Sequence, residues 1–347
     1  MPQYPDFCCP LCKSDMQQDQ EAYSCPACGK KYPIVLGIPD FRVFSDPYID
    51  VENDYKKARF LVNYGRNLDF QALVRFYWSV TPEVSPERAG QFMKHTFGLV
   101  EVGAEHLREI DRLSARRRRI GNGALLEIGC GTGGFLIAAK ERFASVVGID
   151  IAFRWLVIAR KRIEEAGLDI PLICACAEHL PLKDKCFDLI VAQAVLEHVR
   201  DQSATLSESH RVLRPHGAIF ITTPNRFSIL PEPHVHVWGV GFLPRKFMDG
   251  YVKLIKGIRY QHLKPLSIFE WKTLLNKSSF HDHQVILPDI PASERKALTT
   301  LKKIQIALYD VMRKAPLVSS FLYLIGPLFH ILCYSHGEDA ESRMQNG

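Results

Sequence analysis

The sequence predicts an α/β protein in which an open, mainly parallel sheet is preceded by a small metal-binding module. An apolar strand over 123–128 leads into the loop Gly129-Cys-Gly-Thr-Gly-Gly134, and the residues after this loop predict a helix. A second apolar strand, from Ser145 to Asp150, and a helix over about 153–166 complete a right-handed βαβ unit. Two Cys-x-x-Cys pairs near the N-terminus predict the metal-binding module.

The composition is ordinary for a soluble globular protein. The 347 residues, of which 47% are hydrophobic and 24% charged, are enough for one large domain and a small one. No uninterrupted apolar run reaches about 18 residues, and the first residues lack the pattern of a signal peptide. We therefore expect a cytoplasmic protein with no transmembrane segment. Five of the ten cysteines lie within the first 28 residues, which favours a metal site over a disulfide scaffold.

The N-terminal cysteines have the spacing of a closed zinc site. Cys9 and Cys12 form one pair, and Cys25 and Cys28 form the second. Each pair can direct two thiolates at one ion, so that four sulfurs complete a tetrahedral shell with no open position. The zinc is therefore expected to be structural. Cys8 breaks the spacing and is interpreted as a spare thiol, and residues 31–39 predict a strand and turn that finish the ribbon.

A helical region follows the ribbon. Apolar residues at three- and four-residue spacing predict helices between 51 and 119, and Pro82 and Pro86 divide them into two stretches. The region ends in four consecutive arginines, Arg116 to Arg119, in a chain of net charge +6. We interpret this run as a solvated helix end, with contact to nucleic acid or an anionic membrane surface as the alternative.

The glycine loop predicts a nucleotide-type cofactor. Glycines let the backbone approach a ligand closely, the helix N-terminus offers free N–H groups, and Asp150 at the end of the second strand can bind ribose hydroxyls. The loop by itself also satisfies the Gly-x-Gly-x-x-Gly pattern of NAD-dependent dehydrogenases. Further motifs are needed to choose between the two classes.

Those motifs are LLEIGCGTGG over 125–134, AEHLPLKDKCFDLIVAQAVLEHV over 177–199 and RVLRPHGAIFITTPN over 211–225. In this order they resemble class I S-adenosylmethionine-dependent methyltransferases, especially those of ubiquinone and menaquinone biosynthesis, and disfavour a dehydrogenase. Residues 6–42 resemble the zinc-binding domain of the tRNA-methyltransferase activator subunit. Together the resemblances imply a zinc ribbon over 1–45, a helical linker or cap over 46–119, and a Rossmann-like seven-stranded methyltransferase domain over 120–335 with lid insertions.

The methyltransferase resemblance implies a cofactor site for S-adenosylmethionine. Residues expected near the methionine portion are Glu127, Gly129, Gly131 and Gly133, and those expected near the ribose and adenine are Asp150, Ile151, Ala177 and Glu178. Gln193 is expected near the methionine end or the substrate. Cys176 departs from the aspartate that the family often has at this position. The contact with the adenine amino group is then expected to be lost or supplied by Glu178.

Candidate catalytic and substrate residues follow the fourth and fifth strands. His198 is a candidate base, with a structural role as the alternative; Glu197 precedes it, but Ala194 replaces the glutamate that would complete a divalent-ion site in quinone O-methyltransferases. No catalytic metal is therefore expected. After the fifth strand, His234 and His236 are candidate bases, and Asn225, Trp238 and Arg245 are candidates for a substrate wall and anion clamp. The alternative is a proline-braced loop in which these side chains bind only one another.

The C-terminal third predicts the last two strands. Residues 269–277 predict a helix and 283–287 the sixth strand. Residues 328–334 predict a seventh, antiparallel strand, with lid helices over 293–313 and beyond; the alternative is an amphipathic segment seated on a membrane. The polar tail over 336–347 is expected to be disordered.

Three functions are compatible with these observations. The first is methyl transfer to a small-molecule or lipid-linked acceptor, at oxygen, by a cytoplasmic or peripherally membrane-bound enzyme. The second is methylation of rRNA or tRNA, which the combination of a zinc ribbon and an arginine run would suit. The third is a non-catalytic, cofactor-binding scaffold.

Overall fold

The computed structural model describes residues 4–289 and 300–336. The chain divides into two compact units, one formed by residues 1–191 and 211–217 and the other by residues 192–210 and 218–347. The predicted lid segment over 293–299 lies outside the described residues. So does the predicted disordered tail, apart from His336.

The first unit opens with a small antiparallel sheet. Its strands are β1 (Gln17–Gln18), β2 (Ala22–Ser24), β3 (Lys31–Val35) and β4 (Ile38–Pro39), paired in chain order. Leu36 and Gly37, in the tight turn between β3 and β4, both have positive φ, which is typical of two-residue hairpin turns. A strand and turn were predicted for this segment. We call residues 4–39 the N-terminal module.

Four helices follow, where the prolines alone predicted two stretches. They are α1 (Val51–Gly65), α2 (Phe70–Ser79), α3 (Pro86–Phe97) and α4 (Leu99–Ser114). Side chains of Asp50, Asp69 and Ser85 accept hydrogen bonds from the first free N–H groups of α1, α2 and α3. The two additional helix boundaries lie at the capping residue Asp69 and at Gly98, neither of which is marked by a proline. The arginine run lies just beyond α4, with all four side chains exposed.

The main sheet has seven strands, as predicted. They are β5 (Ala124–Ile128), β6 (Ser145–Asp150), β7 (Leu172–Cys174), β8 (Phe187–Gln193), β9 (Leu213–Pro224), β10 (Asp282–Ile286) and β11 (Leu328–Tyr334). Their order along the sheet is β10-β11-β9-β8-β5-β6-β7. β5 pairs with β6 and β6 with β7 in parallel, whereas β11 is antiparallel to both β9 and β10. This confirms the Rossmann-like methyltransferase fold.

The remaining helices connect these strands. They are α5 (Gly134–Lys140), α6 (Phe153–Glu165), α7 (Gln202–Val212), α8 (Arg245–Lys256), α9 (Ile268–Asn276), α10 (Thr300–Lys314) and α11 (Pro316–Ile325). In the first unit β5 is buried along its whole length, because both faces of a parallel strand are covered. In the second unit Trp271, Phe280 and Phe329 are fully buried. Among the described residues, no helix combines the length and the apolar character needed to cross a bilayer.

Candidate functional site

The glycine loop between β5 and α5 leaves open space beside its backbone. Gly131 has a φ of 49° and Gly133 a φ of 73°, both in the left-handed region. A Cβ atom placed on Gly131 would meet no other atom within 4 Å. The N–H groups of Gly129 and Cys130 bond to the carbonyl of Ile149, which fixes the loop against the end of β6. The loop therefore has the shape of a cradle for a ligand.

Two buried carboxyl groups flank this cradle. Asp150 accepts hydrogen bonds of 2.8 Å from the N–H groups of Gly131 and Ala152, and burial raises the pKa of its carboxyl to about 6. Burial, and then the charge of Asp150, raise the pKa of Glu127 well above its usual value. Oε2 of Glu127 is buried without a hydrogen-bond partner among the described residues. An unmet buried acceptor next to a glycine cradle fits a ligand that carries a cationic donor.

The other expected cofactor residues lie at the ends of neighbouring strands. Ile151 directly follows β6 and is half-buried, while Ala177 and Glu178 are buried in the loop after β7. Cys176 is buried too, and its thiol donates to the carbonyl of Phe44 over 3.5 Å; burial raises the pKa of this thiol to about 11. Gln193 ends β8 and belongs to the second unit.

In the second unit, three ionisable side chains converge. Potential ligand atoms of Glu197, His198 and His234 lie within 4.8 Å of one another. The rings of His198 and His234 meet edge to face with centroids 4.8 Å apart. Burial lowers the pKa of His198 to about 3, with a smaller contribution from His234, so the ring of His198 is neutral at physiological pH. Burial raises the pKa of Glu197 to about 7. The sequence named two of these residues as candidate bases but did not predict their convergence.

Glu232 orients His234 and was missed by the sequence analysis. Oε1 of Glu232 lies 2.6 Å from Nδ1 of His234, and Oε2 accepts from the backbone N–H of His234 over 2.8 Å. The other ring nitrogen of His234, Nε2, lies 4.0 Å from Oε1 of Glu197. The side chain of Glu232 is 8% exposed and that of His234 24%. An imidazole held by a carboxylate and still reachable by solvent is the arrangement of a general base. The close spacing of Glu232 and His234 in the sequence could have predicted this contact.

The other candidates of this loop have separate positions. His236 is exposed, has a φ of 53° and lies outside the converging group. Trp238 is 64% exposed and its indole N–H donates to the carbonyl of Ile229. Asn225 is buried, and its amide donates to the carbonyls of Leu324 and Gly326.

Arg245 is held by a carboxylate of its own unit. Its Nη2 lies 2.8 Å from Oε1 of Glu270 and 3.0 Å from the carbonyl of Pro265. Arg226 binds the same Glu270 oxygen at 3.0 Å. Glu270 neutralises part of the positive charge of these two arginines and so lowers the field that either could exert on an anionic acceptor.

The four paired cysteines of the N-terminal module converge. Sγ of Cys9 lies 3.6 Å from Sγ of Cys28, and Sγ of Cys12 lies 3.4 Å from Sγ of Cys25. All four sulfurs are within 4.8 Å of one another. A tetrahedral zinc with Zn–S bonds of about 2.3 Å separates its sulfurs by about 3.8 Å, so the set fits such an ion. Cys8 lies outside this set, and its thiol donates to the carbonyl of Leu182 over 3.0 Å.

Comparisons with known proteins identify a methyltransferase domain in this chain. Residues 126–221 match the family model of a methyltransferase domain. A ubiquinone biosynthesis O-methyltransferase of Idiomarina loihiensis is 28% identical over 220 residues, which cover 61% of this chain and 78% of that protein. The protein of the same name from Parvibaculum lavamentivorans is 30% identical over 207 residues, covering 56% and 76%. The solved structure of YcgJ from Bacillus subtilis is 18% identical, with a TM-score of 0.43 and coverage of 67% and 99%.

Proposed function

The chain belongs to the class I S-adenosylmethionine-dependent methyltransferases, and from this premise we propose that it methylates a hydroxyl oxygen of a small-molecule or lipid-linked acceptor. The observation that carries the proposal is the glycine cradle between the buried carboxyl groups of Glu127 and Asp150. The choice of oxygen is supported by the names of the relatives, which are O-methyltransferases of ubiquinone biosynthesis.

The residues of the first unit suit the cofactor. The unpartnered carboxylate oxygen of Glu127 would bind the methionine ammonium, and the backbone of Gly129, Gly131 and Gly133 would allow the close approach of the amino-acid portion. Asp150 would bind the ribose hydroxyls, with Ile151 and the loop of Ala177 and Glu178 beside the adenine. When bound, S-adenosylmethionine would supply a sulfonium methyl group, whose carbon the acceptor oxygen would attack in line. The C–S bond would break as the O–C bond forms, and its electron pair would remain on the sulfur of the departing S-adenosylhomocysteine.

The second unit offers a base for the acceptor. A phenolic hydroxyl has a pKa of about 10 and must lose its proton to attack efficiently at neutral pH. The Glu232 carboxylate holds Nδ1 of His234 as the protonated nitrogen, which leaves the lone pair on Nε2 to accept this proton. His198, whose ring stays neutral, would pack against His234 and not take up the proton itself. Gln193, Asn225, Trp238 and Arg245 remain proposed contacts around the acceptor, whereas His236, which is exposed and outside the converging group, is assigned no role in the transfer.

The same convergence offers an alternative way to lower the pKa of the hydroxyl. Three potential ligand atoms for a divalent ion come from Glu197, His198 and His234. The sequence motif contained only Glu197 and His198, and the fold adds His234. A requirement for added metal would favour this alternative, and metal-independent activity would favour His234 as the base.

A structural zinc ion in the N-terminal module is part of the proposal. Cys9, Cys12, Cys25 and Cys28 would close its shell, so the ion would stabilise the module and take no part in the transfer.

An apolar surface of the second unit supports a lipid-linked acceptor and peripheral contact with membranes. Three apolar side chains of α8 are exposed: Phe247 at 55%, Leu254 at 85% and Ile255 at 49%. Lys246, Lys253 and Lys256 of the same helix are exposed as well. Exposed apolar groups flanked by lysines are typical of a surface that touches anionic lipid.

Calorimetric titration tests the cofactor first. S-adenosylhomocysteine should bind wild-type protein with micromolar affinity, NAD should not bind, and Asp150→Ala should abolish the adenosyl binding. Transfer of labelled methyl groups should then be measured with a phenolic lipid extract, a soluble phenol panel and RNA. Label in a phenol or lipid supports the proposal, label only in RNA overturns the choice of acceptor, and no adenosyl binding overturns the function.

A further inference from the structure

The segment that leaves the N-terminal module runs beside the end of β7, where the adenine of the cofactor is proposed to bind. We call residues 40–46 the connecting segment. The N–H of Phe41 donates to the carbonyl of Cys174 at the end of β7 over 2.7 Å, and Asp40 forms a parallel bridge with the same residue. Two residues beyond β7, the thiol of Cys176 donates to the carbonyl of Phe44. The connecting segment thus borders the loop that would face the adenine.

Arg42 ties this segment to the end of β6. Its side chain is 2% exposed, and its Nε and Nη2 bind the Asp40 carboxylate at 2.9 and 2.5 Å. Its Nη1 lies 2.9 Å from Oδ2 of Asp54 and 3.3 Å from the carbonyl of Ile151. Ile151 directly follows Asp150, the proposed ribose ligand. One buried guanidinium therefore joins the connecting segment, helix α1 and the ribose end of the cradle. The connecting segment is tied to the module by the N–H of Asp40, which donates to the carbonyl of Pro33 over 2.9 Å.

Asp54 extends the connection to helix α6. Its carboxylate accepts from the backbone N–H of Phe153 over 2.8 Å and of Arg154 over 3.2 Å, which caps the first turn of α6. Arg154 in turn binds Asp54 at 3.0 Å and Asp46, the last residue of the connecting segment, at 2.9 Å. Asp46 and Asp54 are both buried. Buried charges of the connecting segment and of α1 thus contact both the carbonyl of Ile151 and the first turn of α6.

We propose that the N-terminal module is thermodynamically coupled to the cofactor cradle through Arg42, so that zinc binding raises the affinity for the adenosyl cofactor. This inference rests on the proposed function. A module of this size has too small a core to hold its shape without the ion. Without zinc, Asp40 and Arg42 lose their fixed positions, and the Ile151 carbonyl and the α6 cap lose a partner. Arg42 is a positioning residue in this scheme and does not touch the cofactor.

Binding measurements on the full chain test the coupling. Titrations with S-adenosylhomocysteine and with 5′-methylthioadenosine, which lacks the amino-acid portion, should be done on zinc-loaded and zinc-free protein and on Arg42→Lys. We expect both ligands to lose about tenfold in affinity on zinc removal and in Arg42→Lys, because lysine cannot reach two carboxylates and a carbonyl together. Arg142→Lys is the matched control: Arg142 lies just beyond the C-terminal end of α5 and binds Asp111 in the same unit, and its substitution should change affinity by less than about twofold.

Reciprocity provides a readout that a purely structural module would not show. If zinc raises cofactor affinity by a given factor, saturating S-adenosylhomocysteine must raise zinc affinity, measured against a competing chelator, by the same factor. Circular dichroism should be used to check that the zinc-free chain keeps its helices. The reciprocal measurement uses only the wild-type chain, so it tests the coupling even if Arg42→Lys fails to fold. Equal ligand affinity with and without zinc, or zinc affinity unmoved by ligand, would overturn the coupling alone. Absence of adenosyl binding in every form would overturn the proposed function with it.

Discussion

Nδ1 of His234 lies 2.6 Å from Oε1 of Glu232, and this contact determines which nitrogen of the imidazole can accept a proton. With Glu232 ionised, Nδ1 carries the hydrogen and Nε2 carries the lone pair. Nε2 points toward the neighbourhood of Glu197, whose Oε1 lies 4.0 Å away. The proposed base and its orienting group come from one short stretch of the loop after β9, so their relation depends little on other parts of the fold.

Replacing His234 should slow the transfer and leave cofactor binding unchanged. His234→Gln removes the proposed proton acceptor, and we expect kcat to fall by about 10²- to 10³-fold. Glu232→Gln keeps the shape but weakens the orienting contact, and we expect a loss of about tenfold in kcat. Initial rates with saturating cofactor measure both. His236→Gln is the control, because His236 is exposed and outside the group; if it lowered kcat as much as His234→Gln, the assignment of the base would be wrong.

Cofactor affinity should fall as the pH drops through about 6. Burial raises the pKa of Asp150 to about 6, so the carboxylate is ionised above this pH and protonated below it. Ribose hydroxyls donate more strongly to the ionised form. Calorimetry with S-adenosylhomocysteine between pH 5 and pH 8 measures the effect, with the strongest binding expected at the alkaline end. Asp150→Asn should bind more weakly with a flatter profile, and an unchanged profile in this variant would assign the titration to another group.

Glu127 should contribute to affinity only through the amino-acid portion of the ligand. Glu127→Gln removes the proposed charge-assisted hydrogen bond to the methionine ammonium, for which we expect a loss of about 10- to 100-fold for S-adenosylhomocysteine. Binding of 5′-methylthioadenosine, which lacks this ammonium, should stay within about twofold of wild type. A comparable loss for both ligands would show that the substitution disturbs the cradle as a whole.

The purified chain should contain one zinc ion, held by the four paired cysteines. Elemental analysis of Cys28→Ala should show loss of the metal, since three thiolates no longer close the shell. Cys8→Ala is the matched control, because Cys8 is an adjacent cysteine whose thiol binds the Leu182 carbonyl. Retention of zinc in Cys28→Ala, or its loss in Cys8→Ala, would contradict the ligand assignment.

The features that the sequence predicted correctly depend on short spacings. The β5–loop–α5–β6 unit and the antiparallel last strand were predicted because apolar periodicity and glycine positions report local backbone geometry. Each Cys-x-x-Cys turn likewise determines the position of its own two sulfurs, whereas the meeting of the two pairs depends on the fold of the N-terminal module. The number of linker helices was underestimated because capping by Asp69 and the break at Gly98 are weaker signals than a proline.

Only the tertiary structure decided which distant groups meet. Nothing in the spacing indicates that Glu197 faces His234, or that Arg42 binds both Asp54 and the carbonyl of Ile151. Nor does it indicate that Arg245 is neutralised by Glu270. The sequence by itself determined the family fold and the local chemistry of each motif, because these follow from neighbouring residues. Buried charges take their partners from chain segments that the packing of helices and strands brings together, so their pairing is a property of the whole fold.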